Sequence, residues 1–378
     1  MKRIYLDAAA GLARATAKGL SPNPSSLHLE GVKAARGLTA ARQAAAEALG
    51  AHPDEIIFTS GGTEANNLAI FGVPKGEVIV GATEHASILE SARARGGVVI
   101  APVESNGQIN LAELKKLITL KTVLVSVMYV NNEMGAVNNV KEVAKIIRHF
   151  RRTHNTLTPY LHTDACQASN YFNLKVEPLG VDLLTLNSLK LSGTPGAGIL
   201  YVRRGVPLKP LIYGGGQEAG RRAGTENVPA VNALAKALTT AVNNYEKNFK
   251  KVSALREYFI GQVLKQIPED YLHGPQEGGA PHIVNFSFLG VIGEQVVLML
   301  DSAGVAVSTG SACALPEHDD SYVIMALGKR VDEARSAVRF SFLPTTTKGE
   351  LTKTIKILKN IITNLRQANN DYAANLTL

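Results

Sequence analysis

Over its first half this chain alternates short apolar runs with helical stretches, and that rhythm limits its fold more than any other feature. Strand-like runs fall at 55–59, 77–80, 98–103, 123–130, 160–163, 183–186 and 198–202. Helical patterns occupy 34–50, 64–71, 87–95, 111–117 and 140–152. Strands that are apolar along their whole length need cover on both faces, and intervening helices supply it in parallel sheets. The chain therefore reads as α/β, its large domain a mostly parallel seven-stranded sheet flanked by helices.

The pattern changes after residue 228. A helical stretch over 228–266 is too long for a crossover and reads as two helices bridging domains. Strands at 282–288 and 337–342, with helices at 293–300 and 349–369, then suggest a smaller α+β domain. The expected division is a large domain over 15–255 and a small one built from 1–14 and 256–378. A chain of 378 residues has room for both cores.

Composition excludes several function classes. Lys+Arg number 40 against 32 Asp+Glu, a net +8 spread along the chain. The pairs Arg203-Arg204 and Lys250-Lys251 are short and lack interleaved aromatics. This reads as a solvated face attracting acidic partners or substrates, with no direct nucleic-acid role. Residues 1–10 carry no apolar run of signal length, and the apolar stretch 122–130 is too short to cross a bilayer. Two cysteines, Cys166 and Cys313, make neither a disulfide framework nor a metal-spaced cluster. A cytoplasmic protein with no membrane contact and no resident metal is expected.

Cys313 ends the small-residue run Ser308-Thr309-Gly310-Ser311-Ala312-Cys313, ahead of a loop-like stretch to Ser321. A thiol there is exposed and carried on a loop, although a free cysteine is more often a small buried apolar residue, as Cys166 is read.

Four strand ends carry polar groups, where ligands of such sheets gather. The first is Gly61-Gly62-Thr63, opening a helix whose amides suit an anion, though a glycine pair is more often only a turn. The second holds His85, which stacks or moves protons unless it is merely structural. The third is His162-Thr163-Asp164-Ala165-Cys166-Gln167. Asp164 needs a cationic partner when half-buried, and no lysine or arginine lies beside it in sequence. The fourth presents Lys190 ahead of Gly193, Gly196 and Gly198, a lysine that can be desolvated for imine formation or simply lie on the surface. A phosphate loop, then Asp, then Lys in one sheet implies pyridoxal 5′-phosphate: Asp164 keeps its ring nitrogen protonated and Lys190 binds its aldehyde.

The ordered set of Asp164-x-x-Gln167, Lys190, Gly214-Gly215-Gly216-Gln217-Glu218, Arg222-x-Gly224-Thr225-Glu226-Asn227, Ser308 to Cys313 and Arg339-Phe340-Ser341 resembles the cysteine desulfurases. These are class V aminotransferase-like, fold-type I enzymes, and the similarity runs from Tyr5-Leu6-Asp7 to about residue 365. The length between Cys313 and Ser321 is similar to that of the iron–sulfur-cluster and nitrogen-fixation branch. The resemblance implies that Gly62, Thr63 and Thr225 bind the phosphate, Thr225 reaching across from a second subunit of a homodimer. It further implies that Gln167 bonds the ring hydroxyl, His85 stacks on the ring, and Asn132 and Arg339 hold the substrate carboxylate. Cofactor contacts of Asn132, Asn187 and Ser188 are also expected. The implied reaction converts L-cysteine to L-alanine, Lys190 taking the Cα proton and Cys313 receiving the sulfur as a persulfide. Cys313, activated by His85 or local positive charge, then passes the sulfur to an iron–sulfur scaffold or a sulfur carrier for tRNA thiolation, and it can transiently ligate a nascent cluster. His318 reads as solvated.

Two departures stand out. Relatives place Ser-Gly-His before the lysine, where this chain has Asn187-Ser188-Leu189; the following Gly-Pro element is altered to Gly193-Thr194-Pro195-Gly196. Leu189 cannot donate to a phosphate, and Asn187 and Ser188 replace an imidazole only in part. One such hydrogen bond is worth roughly 1.5–3 kcal/mol, or about one to two decades of affinity. Two other readings fit the same residues: a selenocysteine lyase or another class V enzyme, and a weakly catalytic binding platform in a sulfur-transfer complex.

Overall fold

In the computed structural model, residues 22–191, 193–310 and 320–376 are described. Cys313, His318 and the expected small-domain segment 1–14 lie outside them. Helix α1 (Leu29–Leu49) starts where the His28 side chain accepts from the Gly31 amide. It stops at Gly50, whose left-handed backbone returns its N–H to Ala46 and Glu47.

Strands and helices then alternate in the expected order. They are β1 (Ile56–Thr59), α2 (Gly62–Gly72), β2 (Glu77–Gly81), α3 (Ala86–Arg95), β3 (Val98–Ala101) and α4 (Leu111–Leu117). β4 (Thr122–Ser126), α5 (Val140–His154), β5 (Tyr160–Asp164), α6 (Val176–Leu179), β6 (Leu183–Asn187) and β7 (Gly198–Val202) follow. The cause of this local structure is visible in α5. Val140, Val143, Ala144 and Ile147 form one buried stripe, and Asn139 caps the first turn through the Glu142 amide.

The seven strands make one sheet in the order β1-β7-β6-β5-β4-β2-β3. β7 runs antiparallel to both neighbours, and every other pairing is parallel. β1, β4, β5 and β7 are buried along their whole length. Two apolar clusters cover the sheet, one centred on α1, α5 and the next long helix, the other on α2 and α3. The expected mostly parallel, doubly covered sheet is the one found.

That long helix, α7 (Val228–Gln266), is a correction. Two helices were expected, and one of 39 residues is present. Its first half buries Val231, Leu234 and Leu238 in the large core, its last part Val252, Phe259 and Val263 in a second. Between them lie the polar Asn243, Asn244, Glu246, Lys247 and Asn248, with no proline. Nothing in that stretch breaks the ladder, so the helix crosses from one core to the other uninterrupted.

The second core lies on a three-stranded antiparallel sheet, with β9 (Ile283–Phe288) between β8 (Asp270–His273) and a third strand. α8 (Gly293–Ser302), α9 (Tyr322–Ala326) and α10 (Val331–Arg335) precede that strand, β10 (Ala337–Ser341), and α11 (Lys348–Leu376) follows it. Phe259, Phe286, Phe288 and Phe340 fill the centre. β8 was not foreseen, because a four-residue edge strand bounded by Asp270 and His273 lacks an apolar run. No helix among the described residues is long and apolar enough to cross a membrane.

Candidate active site

The parallel strands bring their carboxyl ends to one edge. β5 ends in Asp164, which stands opposite Thr185 of β6; β6 ends in Asn187, and a 3-10 turn, Ser188–Leu191, then carries Lys190. The expected acid and amine therefore leave adjacent strands on the same side of the sheet. Cys166 lies between them, its thiol within the field of both Asp164 and Lys190. Lys190 itself is exposed, the surface placement that the sequence also allows.

Asp164 is buried, at 6% exposure. Its Oδ2 accepts from Asn66 Nδ2 at 2.8 Å and its Oδ1 from the Cys166 amide at 2.9 Å. Among the described residues it forms no ion pair with a lysine or arginine. A buried carboxylate held only by neutral donors suits a protonated ring nitrogen.

Asn66 links this acid to the expected stacking histidine. Its Nδ2 also donates to Ser87 Oγ at 2.9 Å, and that hydroxyl lies 2.8 Å from His85 Nδ1. The Ser87 amide donates to the same nitrogen at 3.1 Å, with His85 capping α3. Nδ1 is thereby an acceptor, which leaves the proton of a neutral His85 on Nε2. Asn66 escaped the sequence reading, although it sits one helical turn after Gly62 and so shares its face.

The Gly61-Gly62-Thr63 turn opens α2 with no side-chain cap, so its amides are available to an anion. Close packing explains the glycines. A Cβ on Gly62 would lie 3.1 Å from Cys166 Sγ, and one on Gly198 would strike the Gly61 carbonyl carbon at 2.6 Å. Asn187 lies beside Gly62, its Nδ2 3.5 Å from where a Cβ on Gly62 would be, while its Oδ1 accepts from the Leu189 amide at 3.0 Å. Leu189 points to solvent at 56% exposure. Ser188 is buried with its hydroxyl against Gly193, and that oxygen has no hydrogen-bond partner.

Glu64 fastens this turn to a distant segment, accepting from the Ser60 amide and from Arg222 Nε at 2.8 Å. Thr225, three residues beyond Arg222, is exposed.

The expected carboxylate anchor, Arg339, comes from the small sheet. Arg339 on β10 donates through Nη1 to the Asn132 carbonyl at 2.9 Å, and Asn132 Oδ1 is buried without a partner. Arg339 also exchanges backbone hydrogen bonds with Ser308, five residues ahead of Cys313. Both flanks of segment 311–319 return to the buried Glu133: Ser321 Oγ donates to Oε2 at 2.6 Å, and a Cβ on Gly310 would lie 3.2 Å from the same oxygen. Tyr322 then donates to the Glu84 carbonyl at 2.7 Å, beside His85. Glu133 was missed because its role depends on contacts far along the chain, the hydrogen bond to Ser321 spanning 188 residues.

Burial sets the protonation of several neighbours. It raises Cys166 well above the usual thiol range, helped by Asp164, which favours the protonated thiol. Burial likewise lifts Glu84 far above ordinary carboxylates, against a hydrogen bond from the Met128 amide. His162 drops to about 4, and His282 to about 3, mainly by burial. His282 places Nε2 3.3 Å from Gln167 Oε1, so Gln167 is joined to the start of β9 in the small sheet.

The model of the family described as "Aminotransferase class-V" matches residues 14–353. A protein named cysteine desulfurase IscS from Dictyoglomus turgidum is 39% identical, over 97% of this chain and 96% of its own length. A solved structure titled NifS-like protein superposes with a TM-score of 0.82 at 31% identity, covering 90% of this chain and 91% of that one. Another, SspA in complex with cysteine, gives a TM-score of 0.71 at 29% identity over 88% and 93% of the two chains. With its strand order, its site and this near-complete match, the chain belongs to the class-V aminotransferase family.

Proposed function

We propose that this chain is a pyridoxal 5′-phosphate-dependent cysteine desulfurase of fold type I, which releases L-alanine from L-cysteine and retains the sulfur as a persulfide on Cys313. The observation that carries the reading is the pairing of a cation-free buried Asp164 with Lys190 on the next strand end. The donors fit the cofactor: uncapped amides at Gly62 and Thr63 and the Asn187 amide for the phosphate, Gln167 for the ring oxygen, Asp164 for the ring nitrogen. Bound there, pyridoxal phosphate supplies an electron sink for the bond broken at the substrate Cα.

The chain's own residues do the rest. Arg339 and Asn132 orient the substrate carboxylate, the guanidinium offering two parallel donors. Lys190 Nζ carries the Cα proton, and His85, with its Nε2–H, stacks on the ring and assists proton transfer. Cys313 Sγ, as thiolate, bonds to the substrate sulfur while the C–S bond breaks and its electron pair passes to the carbon that becomes the alanine methyl. In sum, L-cysteine and a thiol give L-alanine and a persulfide. The persulfide passes to an iron–sulfur scaffold or sulfur-carrier protein in the cytoplasm.

The site is completed in a homodimer, with Thr225 of one copy at the phosphate of the other. Exposed Leu211, Ile212 and Tyr213 adjoin the Gly214–Asn227 stretch and offer an apolar face for a second copy. The reading is tested by adding pyridoxal phosphate and borohydride. A covalent cofactor mass on the Lys190 peptide is expected, and protein that takes up no cofactor contradicts it.

A further inference from the structure

We propose that His282 is a positioning residue, which fixes Gln167 so that its amide N–H groups, not its carbonyl, face the cofactor's ring oxygen. The inference deepens the cofactor reading above and rests on it.

His282 enters β9 of the small domain, whereas Gln167 follows β5 of the large one. Its imidazole is buried and cannot swing. It lies nearly flat on Tyr171, with ring centroids 4.2 Å apart and planes at 12°. The Tyr171 hydroxyl donates to the Phe342 carbonyl at 3.1 Å, and the Phe342 amide returns to the His282 carbonyl at 2.8 Å. Histidine, tyrosine and strand end thus hold one another across the domain junction.

Hydrogen-bond accounting sets the direction. Burial beside Arg339 and Lys190 keeps the ring neutral, with a single N–H. Nδ1 has no partner, whereas Nε2 faces Gln167 Oε1 at 3.3 Å. A buried donor left unpaired is costly, so the proton sits on Nε2 and donates to the amide oxygen. With that oxygen engaged, Gln167 presents its NH2 group on the other side. The opposite orientation would turn a carbonyl dipole toward the cofactor's electron-rich ring oxygen. Because β10 carries Arg339 on the same small sheet, the contact also sets Gln167 in register with the expected carboxylate anchor.

The experiment titrates pyridoxal phosphate into apo-protein and records affinity and the absorbance maximum. The forms compared are wild type, H282F, H282Q, Q167A and the double variant Q167A/H282F. Phenylalanine keeps the stacking on Tyr171 and removes the donor; glutamine keeps an N–H near the Nε2 position. H282F should weaken binding about three- to tenfold and shift the absorbance band, with H282Q within about twofold of wild type. In the Q167A background, H282F should add less than about a twofold loss, as expected of two residues acting through one contact. If H282F does not fold, H282N, whose amide falls near Nδ1, takes its place with the same expectation. Wild-type affinity in H282F, an equal loss in H282Q, or losses that multiply in the double variant would overturn the proposal. Wild-type protein that binds no cofactor would instead overturn the reading of the site.

Discussion

Glu84 has its carboxyl enclosed one residue before His85, with Oε1 taking the Met128 amide and Oε2 unpartnered. Its ordinary value is 4.5, and burial raises it well above that. A raised folded value means that the folded state binds the proton more tightly. Stability is therefore fully present below 4.5 and is lost as pH rises toward the folded value, at up to about 1.4 kcal/mol per pH unit. Glu84→Gln removes this dependence. Urea denaturation should find the variant more stable than wild type at pH 8, with the gap closing toward pH 5; a constant gap contradicts a protonated Glu84. Asp164 and Lys190 were legible at this scale, because a carboxylate and a lysine at strand ends are unusual enough to call for a ligand. Asn66, Glu133 and His282 were not, since an ordinary polar residue gains its role only from what the fold places against it.

At the level of elements, the phosphate cradle proposed above has two halves, the turn Ser188–Leu191 and the start of α2. In that reading the Asn187 amide beside Gly62 is a donor, and the exposed Leu189 offers none. Leu189→His should therefore tighten cofactor binding, by about one to two decades if the imidazole reaches the phosphate. Fluorescence titration of the apo-protein measures it, and unchanged affinity would show that Asn187 already suffices. Periodicity found the strands of the large sheet and nearly all their helices, since a buried strand and an amphipathic helix each repeat their own pattern. It failed at α7, where a stretch too long for a crossover read as two helices, and at β8, an edge strand with little apolar content.

At the scale of the whole molecule, the burial of His162, His273 and His282 lowers stability in acid. His162 and His273 fall to about 4 and His282 to about 3, against an ordinary 6.5. Depressed values mean that the unfolded chain takes up protons first, so stability falls as pH drops from 6.5 toward 4. At pH 5 each histidine costs about 2 kcal/mol relative to neutral pH, which outweighs the opposing effect of Glu84. Denaturation midpoints should drop markedly between pH 7 and pH 5; flat midpoints would contradict these burials. The central claim concerns a different group, the thiol that ends the run from Ser308. Mass spectrometry of cofactor-loaded protein after one equivalent of L-cysteine, without reductant, tests it most directly. The account predicts one added sulfur atom on the Cys313 peptide, none on Cys166, and an equal amount of alanine. Alanine formed with Cys313 unmodified, or formed undiminished by the Cys313→Ser protein, would contradict it.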